Sequence, residues 1–197
     1  MKFFYKGMEL EVPESVYYPH DDSILLAEVA EKQRLEGKKA LDICCGSGLT
    51  GIIMAKHGAI VTAADINEDA VEITRANAAK NGVRLGAVRS DLFSSVTGRF
   101  DFIACNPPYL PEKDSIMKKL KGDYTSWYGG ETGREVIEKL VPQARERLNK
   151  NGKLFLLISS LTGENEVLEL LDAYGFKTAI AARKKIPWEE LMVIEAH

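Results

Sequence analysis

The sequence is poor in cysteine, has no long apolar run, shows no repeat and carries no excess of positive charge. Each absence excludes a class of protein. Cys44 and Cys45 are adjacent and Cys105 stands apart, so no CxxC spacing marks a disulfide scaffold, a redox pair or a zinc site. The three histidines form no cluster, and no metal is expected. The cysteines read instead as small buried hydrophobes of a reducing compartment. The longest apolar stretch, Leu154 to Ile158, falls far short of the about 20 residues that span a membrane. The leading MKFFYKGMEL is too short an apolar run for a signal peptide. A soluble, cytoplasmic protein with no membrane partner is expected. Lysine and arginine number 26 against 29 acidic residues, a net charge of −3, which argues against a general nucleic-acid binder. The short basic runs Lys118-Lys119-Leu120-Lys121 and Arg183-Lys184-Lys185 read as solvated faces.

A chain of 197 residues fits one domain, 1–197, and buries about 70% of its unfolded surface, enough for a core without staples. Residues 3–18 alternate weakly and read as a short strand or hairpin. Asp21, Asp22 and Ser23 then precede a helical pattern at Ile24, Leu25, Val29 and Leu35 that ends near Gly37. From residue 38 onward strands alternate with helices. Strands are expected at Ala40–Cys44, Ala59–Ala64, Val83–Val88, Phe100–Cys105, Lys153–Ser159, Phe176–Ala182 and Leu191–Glu195. Helices are expected up to Lys56 and over Glu68–Asn81, Glu135–Leu148 and Glu164–Ala173, with Asn67 as a cap and Asn151-Gly152 as a stop. Nearly unbroken apolar strands between helices imply a mostly parallel sheet covered on both faces. In such sheets ligands lie beyond the carboxyl ends of the strands.

The strand ends carry the chemistry. The first leads through Asp42 and Cys44 into Gly46-Ser47-Gly48-Leu49-Thr50-Gly51, a literal G-x-G-x-x-G that lets backbone approach a nucleotide-like ligand. The second ends at Asp65, about 20 residues on, where a carboxylate can accept both hydroxyls of a ribose. The third ends at Asp91-Leu92, an acceptor for an exocyclic amine beside an apolar side chain for an adenine ring. The fourth ends in Asn106-Pro107-Pro108-Tyr109, the most specific signal in the chain. A planar NH2 has its lone pair delocalised, so a site that makes this nitrogen attack must grip both N–H bonds. Asn106 offers a side-chain carbonyl, Pro107 a rigidly held backbone carbonyl, and Tyr109 a flat face for stacking.

At these residues the sequence resembles the class I methyltransferases that use S-adenosyl-L-methionine, with a Rossmann-like α/β fold of seven mostly parallel strands and a short N-terminal hairpin. Asn-Pro-Pro-Tyr resembles the branch that methylates planar nitrogens. Tyr17-Tyr18-Pro19-His20-Asp21-Asp22-Ser23, Trp127-Tyr128-Gly129-Gly130 and Gly133-Arg134-Glu135-Val136 are similar to segments of the HemK-related glutamine N5-methyltransferases of translation release factors, in their short archaeal and eukaryotic form. The resemblance implies residues 1–37 as a hairpin and first helix, and 38–197 as the catalytic core. It implies Asp42 and Ser23 near the methionine part of the cofactor, with Cys44, Gly46 and Gly48 forming the turn. It places Asp65 at the ribose, Asp91 and Leu92 at the adenine, and Asn106, Pro107 and Tyr109 around the substrate amide. The family usually has glycine where this chain has Cys44, and a Cβ there would crowd the cofactor. A release factor with a Gly-Gly-Gln motif is the implied substrate. A small zinc-binding activator of the Trm112 type is an implied partner, and Val83, Leu85 and Ala87 on an edge strand would suit it.

Three other readings stand beside this one. The Asn-Pro-Pro-Tyr loop equally fits an N6-adenine or other base amine in DNA or RNA, although no base-flipping cage is visible in the sequence. The glycine pattern fits a nicotinamide-dependent oxidoreductase, which leaves Asp91 and Asn106 unexplained. A non-catalytic cofactor-binding subunit is the third. The polar segment from Glu112 to Thr132 is expected to order around the substrate.

Overall fold

A computed structural model describes residues 1–111 and 128–197. In chain order the elements are β1 (Lys2–Tyr5), β2 (Met8–Glu11), α1 (Asp21–Glu31), β3 (Lys39–Ile43), α2 (Leu49–Lys56), β4 (Ile60–Asp65), α3 (Glu68–Lys80), β5 (Gly86–Arg89), β6 (Phe100–Cys105), α4 (Glu135–Arg147), β7 (Leu148–Ser159), α5 (Glu164–Ala173), β8 (Thr178–Ile186) and β9 (Glu189–Ala196). β1 and β2 form an antiparallel hairpin. The other strands build one sheet in the order β5-β4-β3-β6-β7-β9-β8. The pairs from β5 to β7 are parallel, and β9 runs antiparallel between β7 and β8. The expected mostly parallel seven-stranded sheet is present.

Side chains alternate along each central strand, so the sheet has two apolar faces. Leu41, Ile43, Ile103, Leu154 and Leu156 meet Ile137, Leu140 and Val141 of α4 and Val167 and Leu171 of α5. Ala40, Phe102, Phe155 and Leu157 face the other way, onto Leu25, Leu26 and Val29 of α1 and Met54 of α2. A third cluster joins the hairpin to α2 and α3 through Phe3, Leu10, Ile52 and Ala78. Buried Asn77 fastens that joint. Its carboxamide donates to the carbonyls of Glu11 (2.9 Å) and Ser47 (2.9 Å) and accepts from the Glu11 N–H (2.8 Å).

Beyond shifts of one or two residues at several ends, α1, β5, β7 and β8 differ from the sequence expectation. α1 ends at Glu31, because the N–H groups of Lys32 and Gln33 bond three residues back and tighten the chain into a turn. β5 begins at Gly86 rather than Val83. The Val83 N–H bonds the Ala78 carbonyl (3.0 Å), and Val83 and Leu85 pack on the hairpin cluster instead of joining the ladder. β7 begins at Leu148, so Asn151-Gly152 is a bulge inside a strand and not the stop after a helix; the pairing to β6 jumps from Phe100↔Leu148 to Phe102↔Lys153. β8 starts at Thr178, not Phe176, and runs on to Ile186. Asn67 caps α3 as expected, its side chain accepting from the Asp69 N–H (3.0 Å).

Candidate active site

From β3 the chain goes to β4 and β5 on one side and later to β6 on the other, so the order in which strands are added reverses between the parallel neighbours β3 and β6. Loops diverge at such a point and leave a crevice beyond the strand ends. A cavity of about 310 Å³ lies there, lined by Ser23, Asp42, Cys44, Gly46, Asp65, Asp91, Leu92, Asn106, Pro107 and Tyr109 among others. Every expected site residue except Gly48 therefore borders one cavity. Gly48 caps α2 in a left-handed conformation (φ +86°), and a Cβ on it would lie 2.9 Å from Thr74, so it shapes the turn without facing the space.

The three acids differ in setting. Asp42 is buried and accepts from the Gly51 N–H (2.8 Å). This contact needs glycine, since a Cβ on Gly51 would sit 3.0 Å from Asp42 Oδ2. Burial pushes the Asp42 carboxyl up to about 8; the Gly51 N–H opposes the rise and the Asp65 charge adds to it. Asp65 accepts from the N–H groups of Gly46 (3.0 Å) and Asn67 (3.0 Å), and burial raises its pKa against those two bonds. Asp91 is exposed, beside Leu92 at φ +48°.

Cys44 takes a left-handed conformation (φ +59°), which explains why glycine suits this position. Interaction with the neighbouring Cys105 thiol, together with burial, raises its pKa well above the ordinary value. The side chain packs against the cluster that holds Cys105 while still lining the cavity. A Cβ on Gly46 would meet nothing within 4 Å, which leaves backbone open to a ligand.

At the other end stands Asn106. Its Nδ2 donates to Asp22 Oδ2 (3.0 Å), while its buried Oδ1 has no partner among the described residues. The Tyr17 hydroxyl (2.8 Å) and the Tyr109 hydroxyl (3.4 Å) donate to the same Asp22 oxygen. Tyr109 is half-buried against the α1 side of the core, and burial pushes its hydroxyl pKa up. Asp22 and Tyr17 were not among the residues singled out as functional. The sequence offered Asp22 as an acid in a helix first turn, and nothing local showed that α1 would bring it to β6. The segment Pro108–Tyr109 is buttressed by glycines. A Cβ on Gly129 would lie 2.7 Å from the carbonyl oxygens of Pro108 and Gly133, and one on Gly133 would collide with the Tyr109 carbonyl. Of the segment Glu112 to Thr132, residues 112–127 lie outside the described residues, and so do Trp127 and the basic run 118–121. In the other basic run, Arg183 is paired with Glu164 and Glu190, and Lys184 with Asp21.

The chain belongs to the methyltransferase small domain family, whose model matches residues 20–121. The carboxylates along the strand ends and the open backbone at Gly46 suit a ligand that presents hydroxyls and amines. Within the family the chain stands with the glutamine methyltransferases. A relative from Methanocaldococcus jannaschii, provisionally named a protein N5-glutamine methyltransferase, is 42% identical over 97% of this chain and 96% of its own length. The release factor glutamine methyltransferase of Streptococcus pneumoniae is 31% identical over 80% of this chain. This chain spans 59% of that bacterial relative's length. Among solved structures, a chain of the E. cuniculi Mtq2–Trm112 complex matches with a TM-score of 0.74. It is 29% identical over 93% of this chain and 98% of its own. That complex is described as responsible for methylating the eRF1 translation termination factor. The T. thermophilus 16S rRNA methyltransferase RsmC matches at 0.74 with 22% identity, a likeness of fold.

Proposed function

We propose that the chain methylates the side-chain amide of the glutamine in a Gly-Gly-Gln motif of a translation release factor, acting in the cytoplasm as one catalytic domain over residues 1–197. The observation that carries this reading is Asn106, a residue of the cavity wall whose carboxamide nitrogen is tied to Asp22 while its buried oxygen has no partner among the described residues. An unpaired buried acceptor fits a ligand that brings an N–H. When bound, S-adenosylmethionine supplies a methyl group activated by its sulfonium leaving group. Asp42 and Ser23 are assigned to its methionine part, Asp65 to the ribose, and Asp91 with Leu92 to the adenine. Cys44, Gly46 and Gly48 shape the turn around it.

Asn106 Oδ1 and the Pro107 carbonyl accept the two N–H bonds of the glutamine amide, and Tyr109 stacks on its plane. That grip draws the nitrogen lone pair out of the amide and aims it along the transfer axis, a task of positioning. No histidine lines the cavity among the described residues, so the proton that the nitrogen sheds on gaining the methyl group passes to water rather than to an imidazole. A Trm112-type activator is the proposed partner. β5 carries no strand on its outer side among the described residues and would accept strand addition.

The test is transfer of labelled methyl to a release factor, with and without such an activator. Label is expected on the glutamine of Gly-Gly-Gln, and Asn106→Ala should reduce the rate by about 100-fold or more. Label on nucleic acid and none on protein would replace this reading with base-amine methylation.

A further inference from the structure

An asparagine carboxamide has two ends of nearly equal size and opposite chemistry. Asn106 can grip an acceptor N–H with its oxygen only if its NH2 is engaged by another partner. In the reversed orientation its oxygen would face Asp22 Oδ2, acceptor against acceptor, and its NH2 would meet the NH2 of the substrate. We propose that Asp22 is a positioning residue that fixes the Asn106 carboxamide with its oxygen toward the acceptor amide. This inference rests on the glutamine reading above.

Asp22 is itself held from three directions. Oδ1 accepts the N–H (2.6 Å) and the hydroxyl (3.2 Å) of Ser23 in α1. Oδ2 accepts the Tyr17 hydroxyl from the segment before α1, and Asn106 Nδ2 and the Tyr109 hydroxyl from the loop after β6. It does not act as the helix cap, since His20 occupies that position without a side-chain cap bond. Its bonds are spent on the loop that holds the acceptor. The buried carboxylate and the unpaired Asn106 Oδ1 are then two halves of one device. One half sets the direction of the carboxamide and the other waits for the ligand.

The test compares Asp22→Ala, Asp22→Asn, Asn106→Ala and the double variant Asp22→Ala/Asn106→Ala. Asp22→Asn can donate as well as accept, so it releases the orientation while keeping the volume, and it stands in if Asp22→Ala fails to fold. If Asp22 acts through Asn106, each single variant lowers kcat by about 100-fold, cofactor Kd moves less than about threefold, and the double variant is no worse than Asn106→Ala alone. A kcat within about twofold of wild type, or losses that multiply in the double variant, would overturn it. A second readout does not depend on turnover. In selectively labelled protein the Asn106 side-chain NH2 signals should shift in Asp22→Asn, and their exchange with water should quicken. If wild-type protein transfers no methyl to glutamine, the proposed function falls, and these signals still decide the point: signals unmoved by Asp22→Asn overturn the positioning role.

Discussion

Folding turns Asp42 into a proton holder. An unfolded aspartate titrates near ~4, while burial lifts Asp42 to about 8 in the fold. Between those values the folded chain binds a proton that the unfolded chain has released, so this group's contribution to stability is greatest below pH ~4 and is lost as pH rises to about 8. A cation placed beside Asp42 favours its charged form. Binding of S-adenosylmethionine should therefore expel a proton below pH 8, tighten as pH rises toward 8, and level off above it. Calorimetry in buffers of different ionisation enthalpy reads this directly. Affinity that is flat from pH 6 to 8 would remove Asp42 from the cofactor's surroundings, and Asp42→Asn should flatten the profile. Asp42, Asp65 and Asp91 were legible because each lies within three residues of the carboxyl end of an apolar run. Asp22 was not, because its meaning depends on a contact 84 positions away, with Asn106.

The loop after β6 and the start of α4 are fitted backbone to backbone. Gly129 lies against two carbonyl oxygens, so Gly129→Ala must displace the Pro108–Tyr109 segment. The expected cost is about 1–3 kcal/mol of stability, measured by urea unfolding. Methyl transfer should fall while cofactor affinity holds, because the turn at Gly46 belongs to a different loop. Affinity and transfer falling together would show the two loops to be coupled. The elements themselves were readable where apolar periodicity was clean: β6 and α5 match the sequence expectation to the residue. β5 and β8 were misjudged because both are outer strands whose residues are largely exposed or half-buried, so burial imposes little pattern on them. The bulge at Asn151-Gly152 mimics a helix stop, since both use a left-handed residue, here Asn151 at φ +66°.

The sheet depends on its middle. β3, β6 and β7 bury side chains on both faces, and Phe155 stacks on Phe102 with ring centroids 6.0 Å apart. Phe155→Ala should cost about 3–5 kcal/mol, a large part of the 5–15 kcal/mol that holds a typical domain together. Denaturant midpoints would check this, and a loss under about 1 kcal/mol would mean that α1 collapses into the vacated space. The arrangement of seven strands with two covered faces followed from the alternation of elements along the chain. Strand order needed the structure, because β9 inserts between β7 and β8 and no local signal encodes that.

Cys44 lines the cavity with a thiol whose pKa is raised by interaction with the neighbouring Cys105 thiol and by burial. Alkylating reagents attack thiolates, so the folded protein should react with iodoacetamide far more slowly than a free thiol does. Each modification of Cys44 would then report the scarce thiolate in an empty cavity. Saturating S-adenosylmethionine should slow the reaction further, and intact-mass spectra over time would record it. Reaction as fast as that of a free thiol would mean that its pKa is not raised. The chain thus carries its own gauge of occupancy, a thiol in the cavity wall that reports whether the space is filled.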